Sequence, residues 1–227
     1  MSKRYHATPS SVQPNLSRRR FMQAAAAVPL ILSLPGRTFA SPGIHKLNGQ
    51  VFVNNRPADL TTRITAGSKI IVAHDGELAF SIGTDAFLLR GGTALELVGA
   101  SMVTGLRLLT GGLLAVFDKR SRPAHIVTSI ATISIRGTGA YVNSEPHRLY
   151  TCTCYGETDL RIGQHRERIV ATHHNAHEIL KDESRPAKTG KMTGMTMNRM
   201  EVIDHTDDEL RMLESYVAGF QRLTNKR

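Results

Sequence analysis

KIIVAHDGELAFSIGTDAFLLRGG, residues 69–92, decides the fold class. Ile70-Ile71-Val72 is a β-branched run that leads into Asp75-Gly76, a dipeptide suited to the positive φ of a tight hairpin turn. Leu78, Phe80 and Ile82 then alternate with Ala79 and Ser81, the period of two expected of a half-buried strand. Ala86 to Arg90 is a further apolar run, and it stops at Gly91-Gly92. Strand, turn, strand and turn thus follow one another with no helical period between them.

The same rhythm extends outward in both directions. Upstream, Val51-Phe52-Val53 runs into Asn54-Asn55, a pair that tolerates positive φ. Downstream, Leu95 and Leu97 flank Glu96, Leu106 to Leu109 ends at Gly111-Gly112, and Leu113 to Phe117 follows. Ile126 to Val142 alternates again, with Ile133 and Ile135 on one face and Thr132, Ser134 and Arg136 on the other. Turn signals recurring every ten residues or so predict an all-β domain over residues 41–160, built of stacked short strands as a sandwich, barrel or β-solenoid. With no tryptophan and 5% aromatic residues, its core must be aliphatic.

Composition changes beyond residue 160. Residues 161–205 read as a β-hairpin extension and a mobile linker, Lys181 to Arg199 being rich in Lys, Ser, Thr, Gly and Pro. Residues 206–227 predict one amphipathic helix. Thr206-Asp207-Asp208-Glu209 forms a capping box, and Leu210, Leu213, Val217 and Phe220 follow at spacings of three and four.

The N-terminus reads as an address. The first forty residues carry six basic side chains (Lys3, Arg4, Arg18, Arg19, Arg20 and Arg37) and no acid. Within them, Arg18, Arg19 and Phe21 of Ser17-Arg18-Arg19-Arg20-Phe21-Met22 resemble the twin-arginine signal, in which two arginines precede a variable residue and a Phe. Ala24 to Leu34 is apolar but shorter than the roughly 20 residues a spanning helix needs, and Thr38-Phe39-Ala40 has the small-x-small form of a cleavage site. Export to the periplasm by the twin-arginine route follows, with cleavage after Ala40 and no stable transmembrane anchor in the mature chain. Of 29 basic residues, 23 remain against 19 acids once the leader is gone. That modest excess, without aromatics interleaved among the cations, excludes a nucleic-acid partner.

Gly49-Gln50-Val51, Ile64-Thr65-Ala66-Gly67-Ser68-Lys69-Ile70, the Asp75-Gly76 turn and Gly111-Gly112-Leu113 together resemble the FecR domain, as does above all Ile133-Ser134-Ile135-Arg136-Gly137-Thr138-Gly139-Ala140-Tyr141-Val142. The resemblance implies an all-β fold of short stacked strands. It also implies a protein-binding role in the periplasm, where such domains relay a signal from an outer-membrane transporter to a sigma factor across the inner membrane. Forty leader residues leave room for neither the family's sigma-binding domain nor its membrane helix, so the expected form is a stand-alone domain without the sigma contact. From the residues themselves, the Arg136-Gly137-Thr138 block reads as a close backbone approach or bulge, with Thr138 satisfying a freed backbone group and Arg136 bracing carbonyls.

Two cysteines, Cys152 and Cys154, are the only ones in the chain. At i and i+2 on a strand they point to one face, about 7 Å apart at Cα. Buried free thiols, a disulfide at the edge of allowed geometry and a pair of metal ligands all suit that spacing. His173, His174 and His177 favour the last. If Asn175-Ala176 is a hairpin turn, His174 and His177 pair across strands; on a helix, His173 and His177 would pair instead. Cys152, Cys154 and the histidines would then hold zinc, with copper second, and Met192, Met195, Met197 and Met200 supply the thioethers copper(I) prefers. No nucleophile elbow and no His-Glu-x-x-His occurs, so the chain reads as non-enzymatic. Its expected partner is another periplasmic or membrane protein, with metal binding as the alternative function.

Overall fold

The computed structural model describes residues 43–99, 103–181 and 194–217. The export motif at Arg18, Arg19 and Phe21, the cleavage site after Ala40, Met192 and the last turns of the expected helix lie outside these residues. The strands are β1 (Gly43–Asn48), β2 (Val51–Val53), β3 (Arg56–Pro57), β4 (Lys69–Val72), β5 (Glu77–Ile82), β6 (Asp85–Leu89), β7 (Ala94–Gly99) and β8 (Val103–Val116). They continue with β9 (Ala124–Val127), β10 (Thr132–Ile135), β11 (Gly139–Ser144), β12 (Arg148–Ile162), β13 (His165–Ala171), β14 (Asn175–Lys181) and β15 (Met195–Met200), and one helix, α1 (Asp207–Ser215), follows.

Two sheets share the two long strands. A helix-side sheet runs β1-β5-β6-β8-β11-β12-β14-β15, using residues 111–116 of β8 and the first half of β12. A far sheet runs β3-β2-β4-β7-β8-β9-β10-β12-β13, using the other halves of the same two strands. All pairings are antiparallel except β8 with β9. The all-β expectation holds, and the arrangement is a sandwich whose sheets are continuous through β8 and β12.

Both long strands bend at a glycine. Gly111 and Gly156 each have φ +86°, and each stands where its strand leaves one sheet for the other. That region of φ costs an L-residue but not glycine. At Gly111 space is also lacking: a Cβ there would lie 2.5 Å from the Cα of Thr93.

Of the expected turns, one expected hairpin and two glycine pairs are corners between sheets. Asn54-Asn55, at φ 52° and 64°, does close the β2–β3 hairpin. Asp75-Gly76 instead carries the chain from β4 in the far sheet to β5 in the helix-side sheet, and Gly91-Gly92 returns it from β6 to β7. Gly111-Gly112 is the bend inside β8. These corners stack backbone on backbone: a Cβ on Gly91 would meet the carbonyl oxygen of His74 at 2.1 Å, and one on Gly49 that of Asp75 at 2.7 Å.

The main core lies between the sheets and is aliphatic, as expected, with Phe80, Phe87 and Phe117 as its rings. A second cluster covers the outer face of the helix-side sheet, where Ala79, Leu88, Leu114, Val116 and Ala176 meet Leu210, Leu213 and Val217 of the helix segment. Helix α1 begins at the expected capping box, with Thr206 accepting from the Glu209 backbone and the Glu209 side chain returning to the Thr206 N–H.

Residues beyond 160 extend both sheets. Strand β12 continues to Ile162, β13 extends the far sheet, and β14 and β15 extend the helix-side sheet. The expected linker thus contains a strand, in which Met195 and Met197 pack against the main core and Met200 is exposed. Alternation along β15 sends Met195 and Met197 inward together and leaves Met200 on the other face. Among the described residues, no helix is long and apolar enough to cross a membrane.

Candidate metal centre

Strand β12 places both cysteines on the helix-side face. Its pairing with β11 steps from Ala140–Thr153 to Gly139–Tyr155, so Cys154 is the extra residue of a bulge. The bulge turns Cys154 and Tyr155 alike toward the second cluster, beside Cys152. Gly139 makes room, since a Cβ there would strike the Tyr155 ring at 2.7 Å. Both cysteines are free thiols with no exposed surface.

His174 comes from the turn between β13 and β14. Its φ of 42° ends the turn, and its backbone N–H donates to the Cys154 carbonyl at 2.8 Å. The imidazole then lies over β12, with Nδ1 3.5 Å from the Cys152 sulfur. The fourth member is His205, which the sequence reading did not select. It precedes the helix N-cap, is 6% exposed, and stacks on Tyr141 at 4.7 Å. Its segment is held down by Tyr150, whose hydroxyl donates to the Glu201 carbonyl and accepts from the Ile203 N–H. Arg90 holds it as well, donating to the Asp204 carbonyl at 2.7 Å.

One donor atom from each of Cys152, Cys154, His174 and His205 lies within 4.8 Å of the other three. Hydrogen bonds orient both rings. His205 Nδ1 donates to the Ile203 carbonyl at 2.7 Å, leaving Nε2 with a lone pair. His174 Nε2 donates to Asp207 Oδ1 at 2.9 Å, leaving Nδ1 with a lone pair. These two nitrogens face each other at 3.3 Å, a separation that suits either a shared proton or two ligands of one metal ion. A tetrahedral zinc with ordinary bond lengths sets two nitrogens about 3.3 Å apart and a nitrogen and a sulfur about 3.5 Å apart. The geometry meets both separations. The neighbouring Cys154 thiol and then the two imidazoles pull the Cys152 thiol down, against its burial, while burial pushes Cys154 up.

The remaining expected ligands, His173 and His177, are outside this set of four, although His173 clusters with His174 and Asp207. His177 does not pair with His174, because Asn175 and Ala176 belong to β14 and the turn is made by residues 172–174. Strand parity puts His177 on the face of buried Ile179, opposite the face that Ala176 and Cys152 share. His173 is exposed and reaches Asp207 Oδ2 at 3.0 Å, so it supports the carboxylate that orients His174. Thr138 of the Arg136-Gly137-Thr138 block donates to the Glu157 carbonyl and accepts from the Glu157 N–H, bracing the β12 corner as expected. Arg136 is exposed and braces no carbonyl among the described residues. A signal for His205 existed in the sequence, as a histidine one residue before the capping box, but nothing local ties it to a strand fifty residues earlier.

Two crystal structures of one proposed anti-sigma factor from Parabacteroides distasonis align with 58% of this chain at 12% sequence identity and a TM-score of 0.46. The chain spans 59% of that protein's length. No protein-family profile matches the sequence, and no curated protein does.

Proposed function

We propose that this chain is an exported, non-enzymatic β-domain in which a structural zinc ion, bound by Cys152, Cys154, His174 and His205, fastens the C-terminal helix to the sandwich. The single observation that carries this reading is the pair of lone-pair nitrogens at 3.3 Å, one of them 3.5 Å from the Cys152 sulfur, with the Cys154 sulfur within 4.8 Å of all three. Four protein ligands close the coordination sphere, the pattern of a structural rather than a catalytic site. The leader supports export, and export as a folded protein would allow zinc to be loaded in the cytoplasm. On this reading the domain serves by binding another envelope protein, the role the FecR resemblance implies.

Elemental analysis of protein purified from its native compartment tests the metal. The expected result is one zinc per chain, lost in Cys152→Ser and His205→Ala. Metal-free wild type, with Cys152→Ser equally stable, would overturn it. N-terminal sequencing of the exported protein, expected to begin at Ser41, tests the compartment.

A further inference from the structure

The far sheet turns one face to the core and the other outward, and the outward face is shaped as a groove. Register across five strands places Arg107, Val127, Thr132, Arg161 and Arg166 in one row, and Gly105, His125, Ser134, Asp159 and Arg168 in the next. Small side chains or none (Gly105, Thr132, Ser134) form the floor, while Arg107 on one side and three arginines on the other form the walls. The space enclosed is about 900 Å³.

The cations are unequal. Arg107 is paired with Glu96 at 2.9 Å, and Arg168 with Glu157. Arg161 and Arg166 sit directly opposite each other on β12 and β13, both exposed, and neither has an acidic partner within 4.0 Å among the described residues. Like charges in register destabilise a strand pair. An arrangement that opposes folding but suits an anion points to binding, because two guanidinium groups side by side match carboxylates in their planar, bidentate geometry.

The lining narrows the kind of anion. It contains no Phe, Tyr or Trp, and so lacks the stacking platform that single-stranded nucleic acid uses. It does contain Val98 and Val127, 41% and 39% exposed, which offer apolar contact between the charges. Three strand spacings separate Arg107 from Arg161, or about 14 Å, enough to admit an extended chain, which occupies about 10 Å across its side chains. Neither terminal segment of this chain fits: residues 1–42 and 218–227 contain no acid.

We propose that this groove docks an extended segment of another protein bearing alternating acidic and aliphatic residues, with its carboxylates held by Arg161 and Arg166. The proposal deepens the protein-binding part of the function proposed above and does not depend on the metal.

Fluorescence anisotropy of the full chain with a labelled decapeptide alternating Glu and Val, against its Gln–Val counterpart, tests it, with zinc content measured on the same samples. Wild type is expected to bind the Glu peptide and not the Gln peptide. Arg161→Glu should weaken binding at least about tenfold, as loss of one charge-assisted pair implies. It should also raise the thermal midpoint, because a carboxylate opposite Arg166 replaces repulsion with attraction. The double variant Arg56→Glu/Arg63→Glu, at exposed positions outside the groove, should bind as wild type does. Equal binding of both peptides, no loss in Arg161→Glu, equal loss in the Arg56/Arg63 variant, or stronger binding of a single-stranded oligonucleotide would each overturn the proposal. Failure here in zinc-replete protein would leave the metal centre standing.

Discussion

His174 Nε2 lies 2.9 Å from Asp207 Oδ1, and this hydrogen bond, with that of His173 to Oδ2 at 3.0 Å, joins the turn between β13 and β14 to the first residue of α1. The carboxylate does two things at once. It favours the helix N-terminus by its charge, and it fixes the His174 tautomer that turns Nδ1 toward Cys152.

If the proposed zinc is bound, removing that carboxylate should therefore loosen it without removing a ligand. Asp207→Ala is expected to lower zinc affinity about 10–100-fold, the usual effect of losing a carboxylate behind a ligating histidine. Asp208→Ala, which removes the neighbouring first-turn acid with its exposed side chain, should leave affinity unchanged. Competition with a chelator of known affinity measures both.

Arg90 anchors the helix from the other side. Its guanidinium meets Glu77 at 3.0 Å, Glu209 at 2.7 Å and the Asp204 carbonyl at 2.7 Å. Arg90→Ala is expected to cost about 1.5–3 kcal/mol, the range for hydrogen bonds to charged groups. Thr206→Ala, which removes only the N-cap, should cost about 1 kcal/mol. Denaturant midpoints at constant slope would show both.

Two glycines with positive φ make a controlled comparison. A Cβ on Gly83 would meet nothing within 4 Å, whereas one on Gly111 would strike the Thr93 backbone. Gly83→Ala should cost about 1–2 kcal/mol for the left-handed conformation alone. Gly111→Ala should cost more, about 3–5 kcal/mol, because a sheet corner must also shift. Urea unfolding of the two variants side by side tests the difference; equal losses would contradict the stacked-corner account.

His45 should lend the fold a pH dependence. Its ring stacks on Tyr216 at 4.0 Å and bonds Ser81 Oγ at 2.7 Å, and burial holds its pKa below the ordinary histidine value. The unfolded chain then binds the proton more readily than the folded one, so stability declines as pH falls from about 6.5 toward the depressed value. His45→Gln is expected to flatten that part of the stability curve, as thermal midpoints between pH 7.5 and 5 would show.

Much of the β-architecture was legible because alternation is a local property. Leu78, Phe80 and Ile82 alternate in sequence and lie on one strand in space, and the Thr206–Glu209 capping box begins the helix where expected. The turn residues were legible as turns but not as corners. Asp75-Gly76 reverses the chain in either case, and whether the flanking strands then pair depends on partners such as β1 and β7, which are distant in sequence.

The candidate centre divides in the same way. Cys152 and Cys154 could be read as a pair because strand geometry puts i and i+2 on one face, and His174 stood near them in the expected set. His177 and His205 could not be sorted, since the first depends on where a turn ends and the second on which strand a distant loop crosses. By itself, the sequence determined much of the strand content, the aliphatic core, the capped helix and the two thiols on a common face, all products of short-range periodicity and capping. Only the tertiary structure decided that the chain folds over β12, where Tyr150 and Arg90 seat the loop carrying His205, because hydrogen bonds between residues 51 and 114 positions apart leave no periodic trace in the sequence.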